Sequence, residues 1–590
     1  MVENQAGRRS SLLPGCWDSY RRSRKENILA RRRIRTRVRQ ACLAGLLTLL
    51  LTGTGIFSPY FLSGDGGVPL SVWLGENGWL GSPVITAQAA ENDYIRVGLK
   101  SDYERVGQVT IQNTSLKYGY CIQDVFYSEE TLYSGNGFVI RPETGSWSVC
   151  KGSYRTYSSA VQEAAKYRTL YGAFGAYPAS TGKGSWKVYV PSGTGGMSGK
   201  LSGTARNSSH MLMVTTQNGG FLIDAELAGS YPQFAPTADK GASASTPSVS
   251  VLRLSGGNSY RGRLEVGRYG NSGVTAVNVL PLEQYLYGVV PSEVPYTWPA
   301  EALKAQAVCA RGYALLTAGP GSSGQLSKGY RMGNTTLHQG YKGYGVEQPA
   351  TTQAVDATRG KLVCYENQVV RTYYFSTSGG STEAVEDVWN SNLPYLQGVS
   401  DLFESNPAKK PWIVTMTKQQ ILSRIGARGN GIGSITAVTP EIRTESGRVY
   451  ALKIEGTAGS VTLEKDQIRS ALGLYSTKFD VISYGETPDR VSMLGADGRT
   501  ERRIRESYVL SGTGEKKRMD TTMEQYVVLS KDNRTSFAAE GPSSPDSYVF
   551  AGSGYGHGVG LSQSGARGMA EEGYTYQEIL EHYFTGTTVR

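Results

Sequence analysis

The sequence is poor in the residue types that build thiolate metal sites. Its 590 residues include six cysteines and four histidines, and no two cysteines form a C-x-x-C pair. Thiolate zinc clusters use such closely spaced pairs, so this class of site is excluded. The sequence leaves two disulfide bonds possible, one between Cys121 and Cys150 and one between Cys309 and Cys364. Cys309 lies in a run of small residues, which favours a buried, unpaired thiol.

Net positive charge is nearly absent outside the N-terminus. The formal charge is +11, but residues 1–40 contain 12 of the 61 basic and 3 of the 50 acidic residues, so the other 550 residues share only +2. A chain that binds nucleic acid along its surface needs clustered positive charge there. We therefore predict no nucleic-acid partner, and a DNA-binding tail is the competing interpretation of the N-terminal arginines.

The basic segment directly precedes an uncharged run from Gln40 to Gly64. Positive charge beside an apolar segment marks the cytoplasmic side of a membrane insertion signal. We predict a basic cytoplasmic tail at 1–40, a single transmembrane signal anchor or signal peptide at 41–62, and a linker at 63–90. The remaining chain is then expected on the cell-wall side of the cell membrane, or secreted if cleavage occurs.

Glycine and tyrosine are abundant, with 74 and 38 copies. They predict an α+β fold that is rich in strands and turns. In the region 91–235, YIRVGLK alternates like a strand, and the segments around SWSVC, Ala160 and WKVYVP read as strand, helix, strand. Ser158 or Ser159 is the expected helix cap. The expected apolar face of this helix consists of Val161, Ala164, Ala165 and Leu170.

A small, polar, proline-containing stretch at 236–250 predicts a second linker. The last region, 251–590, is predicted to be β-rich around one central helix of small residues. That helix should begin near Pro299, which suits a first helical position. Its buried stripe is predicted from helical spacing and consists of Leu303, Ala307, Ala310 and Ala314.

Glu293 is the first candidate for chemistry, on a stiff turn just before this helix. Its neighbours within five residues include three valines, Tyr296 and Trp298. Such surroundings disfavour the ionised carboxylate and raise its pKa toward the range of a general acid. The alternative is a solvated glutamate that pairs with Lys304 or Arg311.

The run VVPSEVPYTWPAEALKAQAVCARGYAL resembles the signature of the stage II sporulation protein D and amidase enhancer family (SpoIID/LytB) of cell-wall proteins. The resemblance continues through AVDATRGKLVCYENQVVRTYYFSTSGGSTEAVEDVWNSNLPYLQGVSD and GSGYGHGVGLSQSGARGMAEEGYTYQEILEHYFTGTTV. It implies a catalytic domain at 251–590 with lytic transglycosylase activity on peptidoglycan glycan strands. Glu293 would be both acid and base, and the role would be wall remodelling during sporulation.

The region 91–235 resembles the sporulation-related repeat domain, SPOR. The matching features are K-G-S-Y, the alanine-rich helix and W-K-V-Y-V. The resemblance implies binding to glycan strands stripped of peptides. An ordinary βαβ packing module is the alternative.

Further site residues follow from the same motifs. Arg311 and Tyr313 match the A-R-x-Y-A-L part of the family signature and are expected to orient substrate, whereas Glu283 is expected to be structural. The tip Ser378, Gly379 and Gly380 lets backbone approach a ligand. His557 is flanked by glycines and is expected to bind sugar or orient the acid, with Gln563 assisting. Trp389 and Tyr395 offer flat faces for sugar rings.

No cofactor and no metal are expected. Some members of the family hold zinc with Cys and His residues between the first two motifs, but the corresponding stretch YRMGNTTLHQGYKGYGVE contains His338 alone. A structural zinc site needs four protein ligands.

Two other functions remain open. The chain could hold glycan strands while it activates a cell-wall amidase or joins a membrane complex. A Ser378 and His557 hydrolase ranks last, because the G-x-S-x-G nucleophile motif is absent.

Overall fold

The computed structural model describes residues 94–122, 125–216, 219–237, 249–270, 273–319, 328–404, 411–483 and 547–590, together with six separate strands between 490 and 538. The predicted tail, membrane segment and first linker at 1–90 lie outside the described residues. Most of the second predicted linker, 238–248, also lies outside them. Within the described ranges, every helix is too short or too polar to cross a bilayer.

A seven-stranded sheet supports the N-terminal end of the central helices. Its strands, in spatial order, are β17 (Met332–Gly333), β1 (Tyr94–Gly98), β16 (Thr275–Pro281), β15 (Arg263–Gly267), β12 (Gln233–Pro236), β3 (Ser115–Ile122) and β4 (Val125–Tyr133). The alternation of YIRVGLK is confirmed as β1, which runs antiparallel to β16. Strands from both sides of the linker predicted at 236–250 therefore share one sheet.

An eight-stranded sheet forms most of the region 109–224. Its spatial order is β2 (Val109–Ile111), β5 (Phe138–Pro142), β10 (Met211–Thr216), β11 (Gly219–Asp224), β7 (Tyr177–Ser180), β8 (Trp186–Pro191), β6 (Trp147–Cys150) and β9 (Leu201–Arg206). The predicted strand, helix, strand order is confirmed. The two predicted strands are β6 and β8, and they pair antiparallel, while the additional strand β7 lies between the helix and β8 in the chain. They therefore do not form a parallel βαβ unit.

The helix of this unit, Tyr157–Tyr171, differs in detail from the prediction. Its cap is Thr156, whose hydroxyl accepts a hydrogen bond from the Ser159 N–H at 3.2 Å, so the expected Ser158 or Ser159 cap is wrong. Its buried side chains are Ala160, Ala164 and Tyr167. Leu170, expected on the apolar face, is 68% exposed.

The described residues form eleven α-helices and three short 3-10 helices. The α-helices are α1 (Lys100–Tyr103), α2 (Tyr157–Tyr171), α3 (Ala225–Ala228), α4 (Leu282–Glu293), α5 (Ala300–Ala318), α6 (Pro349–Ala357), α7 (Val385–Val388), α8 (Lys418–Ile425), α9 (Asp466–Leu472), α10 (Gln563–Glu571) and α11 (Tyr576–Tyr583). The 3-10 helices are Ser208–His210, Tyr344–Val346 and Gly426–Gly429.

Helix α5 is the centre of the fold, since α4, α6, α10 and α11 all pack on it. The predicted stripe Leu303, Ala307, Ala310 and Ala314 is buried, which confirms the sequence prediction. Small side chains let the neighbouring elements approach closely. Cys309 is buried as a free thiol, and Cys150 and Cys364 are also free, so neither of the two disulfides considered from the sequence forms.

Short pairs of strands join the motif segments to the core around helix α5. The pairs are β13 (Leu252–Arg253) with β14 (Ser259–Tyr260), β18 (Val363–Tyr365) with β19 (Gln368–Val369) and β34 (Thr588–Val589), and β20 (Tyr374–Phe375) with β33 (Leu561–Ser562). The turn between β18 and β19 is formed by Glu366 and Asn367, both at positive φ. A two-residue hairpin turn of this type requires that backbone.

A module with its own hydrophobic core is inserted before the His557 segment. We call residues 411–483 and 547–552 the inserted module. One sheet contains β21 (Trp412–Thr417), β32 (Ser547–Gly552) and β25 (Phe479–Ser483), and another contains β22 (Ile435–Arg443), β23 (Val449–Gly456) and β24 (Gly459–Glu464). Three hairpins lie between β25 and β32: β26 (Arg490–Gly495) with β27 (Gly498–Arg503), β28 (Tyr508–Leu510) with β29 (Lys516–Arg518), and β30 (Gln525–Leu529) with β31 (Arg534–Ala538).

Candidate active site

Glu293 is the last residue of helix α4, not part of a turn as predicted. Its side chain is partly exposed, and its Oε1 accepts a hydrogen bond from the Gly340 N–H at 2.6 Å. A Cβ at residue 340 would lie 3.3 Å from this oxygen, so glycine permits the close approach. The Tyr374 hydroxyl forms a second hydrogen bond to the carboxylate.

Burial is the main influence on the protonation of Glu293, and it raises the pKa of this carboxyl group. The hydrogen bonds from Gly340 and Tyr374 and the charge of Lys342 act in the opposite direction without cancelling the effect of burial. The raised pKa favours the protonated form, which a carboxyl group needs if it is first to donate a proton and then to accept one.

Gln339 holds the two groups that contact Glu293. Its Nε2 donates to the Tyr374 hydroxyl at 3.1 Å and to the Ala310 carbonyl of α5 at 3.2 Å. Its Oε1 accepts from the Tyr285 hydroxyl of α4 at 3.1 Å. Gln339 therefore ties Tyr374 to α4 and α5, and this network fixes the surroundings of the carboxylate.

Three partly exposed aromatic rings form a row, and its middle member, Tyr373, directly precedes Tyr374 in the chain. Burial is the main cause that raises the pKa of Tyr313, and the charge of Glu293 adds a smaller effect in the same direction. The Tyr313 ring centroid lies 6.1 Å from that of Tyr373, which lies 4.8 Å from that of Trp389. Flat apolar faces with polar edges suit the stacking of sugar rings. We call Tyr313, Tyr373 and Trp389 the aromatic row.

His557 supports this row from the inside. Its ring centroid lies 4.9 Å from that of Trp389 and 5.5 Å from that of Phe375. Nδ1 accepts from the Val559 N–H at 3.1 Å, and the ring also hydrogen-bonds the backbone of Tyr374. Burial, with the charges of Arg469 and Arg448, lowers the pKa of His557 to about 3. A neutral His557 thus holds the strand of Tyr374. Its role in binding sugar or orienting the acid stays a prediction.

Arg311 is not a substrate residue, contrary to the prediction. Its side chain is fully buried, and its Nε and Nη2 donate to the two carboxylate oxygens of Glu283 at 2.7 and 2.8 Å. The guanidinium also donates to the carbonyls of Val355 and Lys361. Arg311 therefore joins α4, α5 and α6, and the structural role expected of Glu283 is confirmed.

Ser378 is also structural. It is fully buried, and its Oγ accepts from the Gly380 N–H at 2.9 Å. The N–H groups of Ser378 and Gly379 donate to the buried carboxylate of Glu404. The tip from Ser378 to Gly380 is thus fastened inward by its backbone, and the expected approach of Ser378 to a ligand is wrong. Gly379 and Gly380 remain partly exposed.

Gln563 and Tyr395 are two further corrections. Gln563 is 8% exposed, and its Nε2 donates to Gln306 Oε1 of α5 at 3.2 Å, so it joins two helices. Tyr395 is 7% exposed and belongs to the core between α5 and α11. Both side chains are occupied by packing inside the protein.

The contacts of Lys304, Arg311 and His557 argue against the other roles considered for Glu293 and Ser378. Lys304 pairs with Glu301, so the expected alternative partners of Glu293 are both engaged elsewhere. His557 uses its ring nitrogens on backbone groups, which leaves none to activate Ser378 as a hydrolase requires. Across the described residues, no three His, Cys, Asp or Glu side chains are grouped so that they could hold a metal ion.

Comparisons with known proteins cover both the Glu293 region and the inserted module. Residues 270–365 match the family model described as Stage II sporulation protein. Stage II sporulation protein D of Bacillus subtilis (strain 168) is 29% identical over 325 residues, which are 53% of this chain and 76% of that protein. The same protein of Bacillus amyloliquefaciens is 28% identical over 328 residues, 53% of this chain and 75% of its own length.

Residues 270–365 thus match the Stage II sporulation protein model, and the chain is similar to members of the SpoIID/LytB family. A third relative, the amidase enhancer of Bacillus subtilis (strain 168), is 28% identical over 321 residues, and the chain spans 40% of its length. Residues 409–498 match a separate family model, Domain of unknown function (DUF8618). The Stage II sporulation protein match therefore includes Glu293 and Gly340 but ends before Tyr374, Trp389 and His557.

Sequence reasoning missed the residues that contact Glu293 directly. Gly340 and Tyr374, and Gln339 that binds Tyr374, were not predicted, because their roles depend on the chain returning to α4 after 46 to 81 positions. The Tyr373 and Tyr374 pair carried a usable signal. Neighbouring strand residues point to opposite faces, so a tyrosine pair in a motif strand places one hydroxyl inward and one ring outward.

Proposed function

We propose that this protein cleaves the glycan strands of peptidoglycan as a lytic transglycosylase, with Glu293 as the acid and base. The observation that carries the proposal is one partly exposed carboxyl group of raised pKa, next to a row of aromatic rings. The groups that shift the pKa of Glu293 include no second carboxylate. Ordinary glycoside hydrolysis uses two.

One carboxyl group suffices if the sugar supplies its own nucleophile. Protonated Glu293 donates its proton to the glycosidic oxygen as the bond from that oxygen to the anomeric carbon breaks. The C6 hydroxyl of the same muramic acid then attacks the anomeric carbon, and its proton passes to the Glu293 carboxylate. The product is a 1,6-anhydro sugar, and the acid is restored. Tethering gives the C6 hydroxyl a large effective concentration without activation of water.

The aromatic row supports a glycan substrate. Tyr313, Tyr373 and Trp389 offer a line of partly exposed rings, and Tyr373 directly precedes Tyr374, which hydrogen-bonds the acid. Shortly after Glu293 in the chain, Tyr296 is 51% exposed and Trp298 is partly exposed. Exposed aromatic rings of this kind suit the binding of a linear chain of sugar rings.

The proposed location is the cell-wall side of the membrane. It is supported by the basic residues 1–40 and the uncharged run that follows them. The substrate, glycan strands of the wall, lies on that side. Binding of peptide-free glycan by the region 91–235 stays a prediction.

A second candidate function is the activation of a cell-wall amidase. It is favoured by the similarity to a relative named amidase enhancer. In this role the aromatic row would hold glycan while another enzyme acts, and Glu293 would be dispensable.

Product masses test the proposal directly. Purified sacculi digested with the full chain should release fragments that end in 1,6-anhydro sugars, each lacking one water relative to a hydrolysed end. Fragments that carry the added water would contradict the mechanism and indicate hydrolysis. No fragments in the absence of an amidase would favour the activator.

Tyr374→Phe should shift the pH dependence of cleavage. The Tyr374 hydroxyl stabilises the Glu293 carboxylate and lowers its pKa, so its removal raises that pKa further. Since the protonated acid starts the reaction, activity is present below this pKa and lost as the pH rises through it. The falling limb of the profile should therefore move to higher pH, as measured by initial rates of fragment release.

Tyr344→Phe is the matched control, because the Tyr344 ring stacks with Arg261 and not with Glu293. Its profile should coincide with that of the unchanged protein. An unmoved limb in Tyr374→Phe, or a shift to lower pH, would mean that Glu293 is not the titrating acid.

A further inference from the structure

The inserted module contacts every loop that carries the later site motifs. Trp412 Nε1 donates to the Gly554 carbonyl at 3.0 Å, next to the His557 segment. Arg448 Nη2 donates to the Ser378 carbonyl at 2.9 Å, and Lys478 Nζ donates to the Gly379 carbonyl at 3.0 Å. Lys465 reaches the loop of Trp389. A module that matches a domain of unknown function is therefore built into the walls of the site.

Lys465 is the most unusual of these residues. It lies between β24 and α9 with φ 54° and ψ −140°. Residues other than glycine rarely adopt these backbone angles, and residues that are held there concentrate at functional sites. A strained backbone at a lysine needs a compensating role for the side chain.

The side chain of Lys465 has three acceptors outside its own module. Its Nζ lies 2.8 Å from the Glu386 carbonyl, 3.3 Å from the Trp389 carbonyl and 3.1 Å from Asn390 Oδ1. These groups form the C-terminal end of α7 and the turn after it. Carbonyls at a helix end lack partners within the helix, and a lysine ammonium is a suitable donor to them.

The turn held by Lys465 positions the end of the aromatic row. Trp389 directly follows α7, and its ring packs on Tyr373 and His557. Lys465 fixes the Trp389 carbonyl, and Tyr373 and His557 fix the Trp389 ring. The exposed face of Trp389 is therefore held in one orientation. Without the ammonium, the α7 turn would have to satisfy the three acceptors with water.

We propose that Lys465 is a positioning residue for glycan binding, through which the inserted module fixes the sugar-stacking face of Trp389. The inference rests on the proposed function in one respect, that the aromatic row binds glycan. It assigns to the module of unknown function a share in substrate recognition by the Glu293 site.

Lys465→Gly separates this role from a role in stability. Glycine removes the ammonium but also relieves the backbone strain, which offsets the lost hydrogen bonds and the greater freedom of glycine in the unfolded chain, so the melting temperature should change little. Binding is measured with a linear β-1,4-linked N-acetylglucosamine hexamer on the full chain carrying Glu293→Gln, so that no turnover occurs. We expect about fivefold weaker binding, the effect of losing one well-oriented aromatic contact.

Glu366→Gly is a matched control. Glu366 also has a positive φ, 48°, but lies in the exposed turn between β18 and β19, outside the region 91–235. The substitution relieves the same kind of strain and removes an exposed charge that does not belong to the aromatic row. Its hexamer affinity should equal that of the parent.

A double-mutant cycle with Trp389→Ala supplies the deciding readout. If Lys465 acts through Trp389, Lys465→Gly should weaken binding no further once Trp389 is alanine. Additive effects, unchanged binding in Lys465→Gly, or no hexamer binding by the parent would each overturn the inference. The cleavage products of the unchanged protein report the proposed function separately, so either idea can fail alone.

Discussion

Glu293→Gln should lower the release of anhydro fragments from sacculi by about 10²–10⁴-fold, the range typical for loss of a positioned general acid. The amide has the same shape and can still accept the hydrogen bond from Gly340, so the fold should persist. It cannot donate a proton to the glycosidic oxygen or take one from the C6 hydroxyl. Mass spectrometry of soluble fragments over time measures the effect.

Glu572→Gln is the control for this substitution. Glu572 is an exposed glutamate at the end of α10, and fragment release should not change. Anhydro fragments formed by Glu293→Gln at the unchanged rate would remove Glu293 from the mechanism. If the variant lost cleavage but still stimulated an amidase, both functions would be present and separable.

Arg311→Met should destabilise the protein by about 3–5 kcal/mol, because it leaves Glu283 as an unpaired charge in the core. Both side chains are at most 2% exposed. The guanidinium also supplies hydrogen bonds to two carbonyls of the α6 region. Denaturant unfolding of the full chain, followed by circular dichroism, measures the loss.

Two further variants separate stability from substrate binding. Arg359→Met removes a partly exposed arginine that pairs with Asp356, and should cost only about 0–1 kcal/mol. The double variant Arg311→Met with Glu283→Leu removes both buried charges and should recover part of the stability lost by Arg311→Met alone. Loss of glycan binding in Arg311→Met with unchanged stability would restore the substrate role that the sequence motif implied.

The sequence predicted correctly those elements that are determined by a local repeat of residue types. Helix α5 and its buried stripe followed from the spacing of small residues, and strand β1 followed from the alternation of YIRVGLK. Glu293 was found because its apolar neighbours are close in sequence. In these cases the physical cause lies within a few turns of helix or strand.

The sequence did not distinguish a buried polar residue from one that is exposed to a ligand. Arg311 and Ser378 look equally available in the motifs, but Arg311 meets Glu283 from the preceding helix and the Ser378 backbone meets Glu404. The same limit hid Tyr374 and Gln339, whose partners are distant in sequence. Such pairings are fixed by topology rather than by local pattern.

The seven-stranded sheet has a consequence for any attempt to dissect the chain. β16 and β15 have as outer neighbours β1 and β12, which both precede residue 237. A fragment that started at residue 251 would lack these neighbours, so β15 and β16 would each expose an edge of unpaired backbone N–H and C=O groups. Exposed strand edges of this kind pair with other chains and cause aggregation. We expect it to precipitate, whereas the intact polypeptide should melt across these strands in one cooperative step.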